Sequence, residues 1–241
     1  LWTSSYIGKV REDTSRSLVM KTAHMGLRVE NVLVEGRHFA DRKSVATAVD
    51  VDRNEPLFAL DLASIRDRLQ ADPWIESVTV RRQFPHTLKI DLTERTPLAL
   101  LRRPDKGLSL IDTEGKVITK HPDNRFKELL IVSGQGAAKA LPQLMTYLQA
   151  EPNLPSHITS VQYIGGRRWN LFTANDTRIQ LPEDDLGLAL ARLSRYQSED
   201  DVLEQPLKDI DLRQSDRIVL QPVDEAEGPI IKASATREAD L

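Results

Sequence analysis

The segment Trp74–Pro97 constrains the fold of this 241-residue chain more than any other stretch. Within it, Ile75–Arg82 and Thr87–Glu94 alternate apolar or β-branched residues with polar ones, and a proline-containing corner at residues 84–86 separates them. This pattern predicts a hairpin of two strands. Because side chains alternate across a strand, one face is predicted to be core and the other solvated. The predicted core face carries Val78, Val80, Leu88, Ile90 and Leu92.

Three segments upstream of the hairpin complete a small folding unit. Arg28–Gly36 alternates as a strand, whereas Asp41–Val49 and Asp61–Leu69 have the apolar spacing of short helices. The aspartates that open the two helices are N-cap candidates. The order strand, helix, helix, strand, strand predicts an α+β unit with its helices on one face of a small sheet.

The chain after Pro97 predicts a second, β-rich domain with flanking helices. A turn at Asp112–Gly115 predicts a hairpin over residues 108–118. Ile210–Leu220 is predicted as the last strand, and residues 223–241 as a disordered tail. The other expected elements are strands at Leu129–Val132, Ile158–Ile164, Trp169–Thr173 and Thr177–Leu181, and helices at Ala137–Gln149 and Glu183–Tyr196.

Composition and motifs argue against several kinds of chemistry. The chain has no cysteine, which excludes disulfides, thiolate metal sites and a cysteine nucleophile. A net charge of −3 with 5% aromatic residues argues against a nucleic-acid interface. The five histidines are dispersed, and no metalloprotease, serine-hydrolase or phosphate-loop motif is present. We therefore predict no catalytic residues, no cofactor, no metal site and no small-molecule substrate.

The hairpin motif resembles the POTRA domain of the FtsQ/DivIB family of bacterial cell-division proteins. The resemblance is carried by Pro73, Trp74, Val78, Val80, Arg82, Pro85, Leu88, Ile90, Leu92, Glu94, Arg95 and Pro97. Leu108–Ile118, Gly166–Leu171 and Asp209–Pro222 resemble the β domain that follows POTRA in this family. The resemblance implies a POTRA domain at residues 26–96 and a C-terminal β domain at residues 97–222.

Family members carry one membrane-spanning helix before the POTRA domain. No apolar run in this sequence reaches the roughly 20 residues that cross a bilayer. The resemblance therefore implies the periplasmic part of a single-pass bacterial inner-membrane protein, enriched at the division septum. Residues 1–25 are expected to be a membrane-proximal linker. Trp2 and Tyr6 lie either beside the membrane interface or in an ordinary amphipathic lead-in.

The predicted last strand has two interpretations from its residues alone. Followed by a disordered tail, it is an open sheet edge that accepts a strand from a partner. Alternatively, it lies inside the sheet or is protected by its own charges, Arg213, Asp216 and Arg217. The resemblance favours the edge, because in FtsQ-like proteins this strand receives a strand from FtsB, which travels with FtsL.

The resemblance also indicates which residues contact that partner. The expected partner-binding residues are Arg167, Arg168, Arg213, Gln214, Ser215, Arg217, Ile218 and Leu220. The two arginines that precede Trp169 would offer bidentate contacts to partner carboxylates, or would remain solvated with Trp169 packed underneath. Gln214 and Pro222 stand where some family members carry aromatic residues.

Together these expectations describe a non-enzymatic division scaffold that recruits FtsB and FtsL by strand addition. It would link early and late division proteins and so regulate septal peptidoglycan synthesis. The POTRA strand at residues 28–34 would dock other membrane division proteins. The alternative, a POTRA-containing periplasmic assembly or secretion factor, requires a long series of amphipathic strands after the POTRA unit, and a periplasmic enzyme requires a convergent catalytic constellation.

Overall fold

The fold is α+β and divides into two compact units, residues 1–95 and 96–241. The computed structural model describes residues 27–104, 107–223 and 230–233, the last of these by their backbone. The linker expected at residues 1–25, with Trp2 and Tyr6, lies outside the described residues. So do residues 224–229 and 234–241 of the expected tail.

The first unit has the predicted order of elements. It contains β1 (Asn31–Glu35), α1 (Arg42–Val49), α2 (Leu62–Gln70), β2 (Ile75–Gln83) and β3 (Thr87–Glu94). Its sheet has the order β1-β3-β2, with β1 parallel and β2 antiparallel to the central strand. The predicted caps are confirmed, because Asp41 accepts a hydrogen bond from the Ser44 N–H at 2.9 Å and Asp61 accepts one from the Ala63 N–H at 3.1 Å.

The alternation in the hairpin separates a core face from a charged face, as predicted. Leu88 and Ile90 of β3 are fully buried and pack with residues from both helices. On the opposite face, Lys89 lies 2.9 Å from Glu35. Burial of the apolar face is the main source of stability for such a unit.

The second unit is a larger sheet with two helices. Its elements are β4 (Pro97–Arg103), β5 (Gly107–Asp112), β6 (Val117–Thr119), β7 (Ile131–Ser133), α3 (Ala137–Gln149), β8 (Ile158–Ile164), β9 (Arg168–Thr173), β10 (Arg178–Gln180), α4 (Leu186–Asp200), β11 (Leu207–Asp211), β12 (Arg217–Pro222) and β13 (Ile230–Ala233). The described strands form one ten-stranded sheet in the order β13-β12-β11-β10-β9-β8-β7-β4-β5-β6. Leucines of both helices, including Leu144 and Leu190, share one core with sheet residues such as Leu171.

The prediction of one continuous last strand is wrong. The chain turns at residues 212–216, and β11 and β12 form an antiparallel hairpin in which Ile210 lies opposite Leu220. The polar residues Gln214-Ser215-Asp216 break the strand, and the hairpin still buries both apolar partners. The prediction of disorder from Val223 onward is also wrong at Ile230–Ala233, because β13 pairs with β12. This pairing satisfies backbone groups that an edge would leave unpaired.

Candidate partner-binding surface

A groove of about 690 Å³ lies beside the β11–β12 turn. It brings together three of the expected site residues, Arg168 from the start of β9 and Arg213 and Ser215 from the turn. Helix α4 contributes Leu188 and four further groove residues, Ala189, Ala191, Arg192 and Arg195. Four arginines share this groove with the acidic residues Glu183, Asp184 and Asp185. The guanidinium groups give it donors that suit carboxylates. The expected residues Arg167, Gln214, Arg217, Ile218 and Leu220 do not line it.

Arg192 of α4 holds the β11–β12 turn in place. Its guanidinium donates to the backbone carbonyls of Leu212, Gln214 and Ser215 at 3.1, 2.9 and 2.7 Å. Carbonyls in a turn lack ladder partners, so this one side chain satisfies three of them. Sequence reasoning missed the role, because in the predicted helix Glu183–Tyr196 this arginine lies toward the C-terminal end, where the helix dipole alone explains a positive charge.

Two of the expected site arginines are already paired within the chain. The guanidinium of Arg213 donates three hydrogen bonds to the Asp211 carboxylate, at 2.9, 3.1 and 2.6 Å. Burial pushes the pKa of Asp211 upward, but the hydrogen bonds from Arg213 outweigh it and hold this pKa below its ordinary value. Arg217 donates to Asp216 at 2.8 Å, and this hydrogen bond lowers the pKa of Asp216. A partner carboxylate would have to compete with both aspartates.

The two arginines before Trp169 differ in their surroundings. Arg167 is exposed and lies 3.6 Å from Glu183. Arg168 is half-buried at the groove and makes no hydrogen bond or ion pair within the described part of the chain, but its positive charge contributes to the lowered pKa of Asp211. Trp169 packs underneath with only 4% of its surface exposed, 4.6 Å from the ring of Tyr163. Arg168 is therefore the arginine best placed to bind an incoming carboxylate.

Strand β12 offers its backbone rather than its apolar side chains. Ile218 and Leu220 are each 1% exposed and belong to the core. Of the expected contact residues on this strand, these two could meet a partner only through N–H and C=O groups. One side of the strand is paired with β11 and the other with β13. The second interpretation, a strand inside the sheet, therefore describes this structure, and β13 and β6 are the end strands among the described residues.

The first unit has an exposed strand edge of its own. Strand β1 is the outer strand beside β3, and Val32 and Leu33 are 41% and 42% exposed. A groove of about 550 Å³ between β1 and α1 is lined by these residues together with Val45, Val49, Arg37 and Arg42. An edge strand beside an apolar groove suits an extended peptide.

Residues 27–104, 107–223 and 230–233 contain neither a candidate metal site nor a candidate membrane-spanning helix. No cluster of three or more histidine or acidic residues could hold a metal ion. No helix there is both long enough and apolar enough to cross a membrane.

Comparison with known families gives matches in both units. The family described as "POTRA domain, FtsQ-type" matches residues 27–95, and "Cell division protein FtsQ/DivIB, C-terminal" matches residues 99–213. The second match therefore ends within the β11–β12 turn, before β12.

Several curated relatives carry the description "Cell division protein FtsQ". The one from Bradyrhizobium diazoefficiens is 34% identical over 201 residues, which cover 83% of this chain and 58% of the relative. The one from Novosphingobium aromaticivorans is 30% identical over 92% of this chain and 69% of its own length. The Rickettsia felis relative is 30% identical over 90% of this chain and 81% of its own length. The chain thus spans less than two thirds of the Bradyrhizobium protein.

Proposed function

Since the chain belongs to the FtsQ/DivIB family of bacterial cell-division proteins, we propose that it is a non-enzymatic scaffold of the division machinery. It would be the periplasmic part of a single-pass inner-membrane protein at the septum. There it would link early and late division proteins and so regulate septal peptidoglycan synthesis. The observation that carries the proposal is the arginine-lined groove beside the terminal strands of the second unit.

The proposed partner of this surface is FtsB, bound together with FtsL. A strand of FtsB would pair with the backbone of β12, where main-chain hydrogen bonds supply affinity. Acidic residues of the partner would bind Arg168. Leu188, which is 67% exposed in the groove, would be covered at the same time. A large exposed apolar side chain among arginines suits a segment that is acidic and apolar in alternation.

The exposed edge of β1 is proposed as a second docking site, for other membrane division proteins. Val32 and Leu33 on this edge and the adjoining groove support the proposal. A POTRA-containing secretion or assembly factor is the weaker alternative, because both family matches are to FtsQ-type domains.

Calorimetry with a soluble periplasmic FtsB/FtsL complex tests the function. The chain should bind it, and Arg168→Glu should weaken binding at least about tenfold, the effect of about 1.4 kcal/mol. Arg102→Glu makes the same charge change at an exposed position on β4 outside the groove and should leave the affinity unchanged.

The proposal fails if the unaltered chain does not bind the complex. Equal losses in the Arg168 and Arg102 variants would mean that general charge, rather than the groove, governs the association. In that case the groove would no longer be assigned as the binding site for the FtsB/FtsL complex.

A further inference from the structure

Strand β13 occupies the edge of β12 that strand addition would use. Four residue pairs join the two strands in antiparallel register, from Arg217 opposite Ala233 to Leu220 opposite Ile230. The other side of β12 is paired with β11. A strand from a partner therefore cannot pair with β12 while β13 remains in place.

We propose that β13 is an internal competitor of the partner strand, so that β12 accepts a partner only when β13 detaches. The inference rests on the proposed function, since it concerns how the same site is regulated. Among the described strands, β13 pairs with β12 alone, at the end of the sheet. A short strand with one neighbour belongs to the least stable parts of a fold, which open without global unfolding.

The tether makes this competition effective. β13 is joined to the end of β12 through residues 224–229, so it acts at a high local concentration on its own site. A ligand that needs the detached state binds more weakly in proportion to the population of that state. If β13 is docked in about nine molecules of ten, the apparent Kd is raised about tenfold.

The register of β13 also indicates how the partner is oriented. A strand that runs antiparallel to β12 and takes the place of β13 would reuse the same donors and acceptors. Its residue opposite Val219 would then stand where Ile231 stands now. Side chains on that face, away from the core, would provide specificity.

A reversible lock tests the competition directly. The chain has no cysteine, so the pair Val219→Cys and Ile231→Cys would be its only thiols. These residues lie opposite each other, and such pairs have Cα separations of about 4.5–5.5 Å, within the range of disulfides. The oxidised protein should lose at least about tenfold in affinity for the soluble periplasmic FtsB/FtsL complex, because β13 can no longer detach. Reduction of the same protein should restore binding.

A second variant, the release variant, weakens the pairing of β13 with β12 instead of locking it. Ile231→Pro with Lys232→Pro removes two adjacent backbone N–H groups, one of which points toward β12 in an antiparallel ladder. Binding should become about tenfold tighter, and the β12 amides should exchange faster in the unbound protein. The matched control, Ile231→Val with Lys232→Thr, keeps every N–H group and should bind as the unaltered chain does.

The remaining outcomes separate a failure of the proposed competition from a failure of the proposed function. Equal affinity in the locked, released and control proteins overturns the competition and leaves the proposed function standing. Weaker binding by the release variant would show that β13 is part of the interface, and that also overturns it. If none of the proteins binds the complex, including the released and reduced forms, the proposed function itself fails and the competition with it.

Discussion

Replacement of Arg192 by methionine should loosen the turn that presents the proposed binding residues. The guanidinium donates to three backbone carbonyls of the turn at distances between 2.7 and 3.1 Å. Methionine preserves the apolar stem, which packs along the helix, but it has no donor. The three carbonyls would then depend on water.

The size of the effect follows from these bonds. A hydrogen bond that involves a charged group contributes about 1.5–3 kcal/mol where it is buried. The bonds to Gln214 and Ser215 are exposed and the bond to Leu212 is partly buried, so water replaces much of what is lost. We expect a total loss of about 2 kcal/mol in the free energy of unfolding of the second unit.

Hydrogen exchange and urea unfolding measure this loss. The amides of residues 212–216 should exchange faster in Arg192→Met, and the affinity for the FtsB/FtsL complex should fall. Arg195→Met is the matched control, because Arg195 lies in the same helix and the same groove and its guanidinium stacks over Tyr196 at 5.4 Å. If both variants behave alike in exchange and stability, Arg192 does not hold the turn.

Two further predictions concern carboxylates that hold local structure. Glu94 accepts the backbone N–H groups of His38, Phe39 and Ala40 at 3.0, 2.7 and 2.8 Å. Glu94→Gln puts an amide N–H₂ group where one carboxylate oxygen now accepts hydrogen bonds. In urea unfolding, the free energy of unfolding of the first unit should fall by about 1–2 kcal/mol. The control Glu76→Gln, at an exposed position on β2, should change it very little. Arg213 holds the pKa of Asp211 in the folded protein below its ordinary value of 3.8. The ionised carboxylate therefore stabilises the fold at any pH above 3.8, and this stabilisation is lost as the pH falls through the lower pKa of the folded protein. The stability difference between the unaltered chain and Asp211→Asn should therefore narrow as the pH falls from about 5 to about 2; a constant difference would contradict the assignment.

The first unit could be predicted from its sequence because its signals are local. Each helix begins with an aspartate that caps its own first turn, and Leu88, Ile90 and Leu92 alternate with less buried residues as in a half-buried hairpin. The burial of Trp169 beneath the basic turn was one of the two alternatives that the sequence left open, and Trp169 is buried in the structure. These features depend on neighbours in the chain, which a sequence pattern records.

The β11–β12 hairpin could not be recognised from the sequence, because its apolar residues have the spacing of one continuous strand. Ile210, Leu212, Ile218 and Leu220 all occupy even positions, so one continuous strand would bury the same side chains. In the hairpin Ile210 and Leu220 lie opposite each other and share a face, which gives the same pattern. Only the polar run at residues 214–216 distinguishes the two. β13 pairs with the strand just before it in the chain, but its four residues are too few to give a periodic signal of their own.

The charge pairs of the groove indicate where binding energy would arise. For Arg213 to bind a partner carboxylate, its guanidinium would have to give up three hydrogen bonds to Asp211. Arg217 is committed in the same way to Asp216. Arg168 has no hydrogen bond to give up among the described residues, although Asp211 is near enough for the Arg168 charge to help lower its pKa. The half-buried position of Arg168 weakens screening by solvent. A partner therefore gains most from a carboxylate opposite Arg168 and an apolar residue over Leu188, while Arg213 and Arg217 stay paired with their own aspartates.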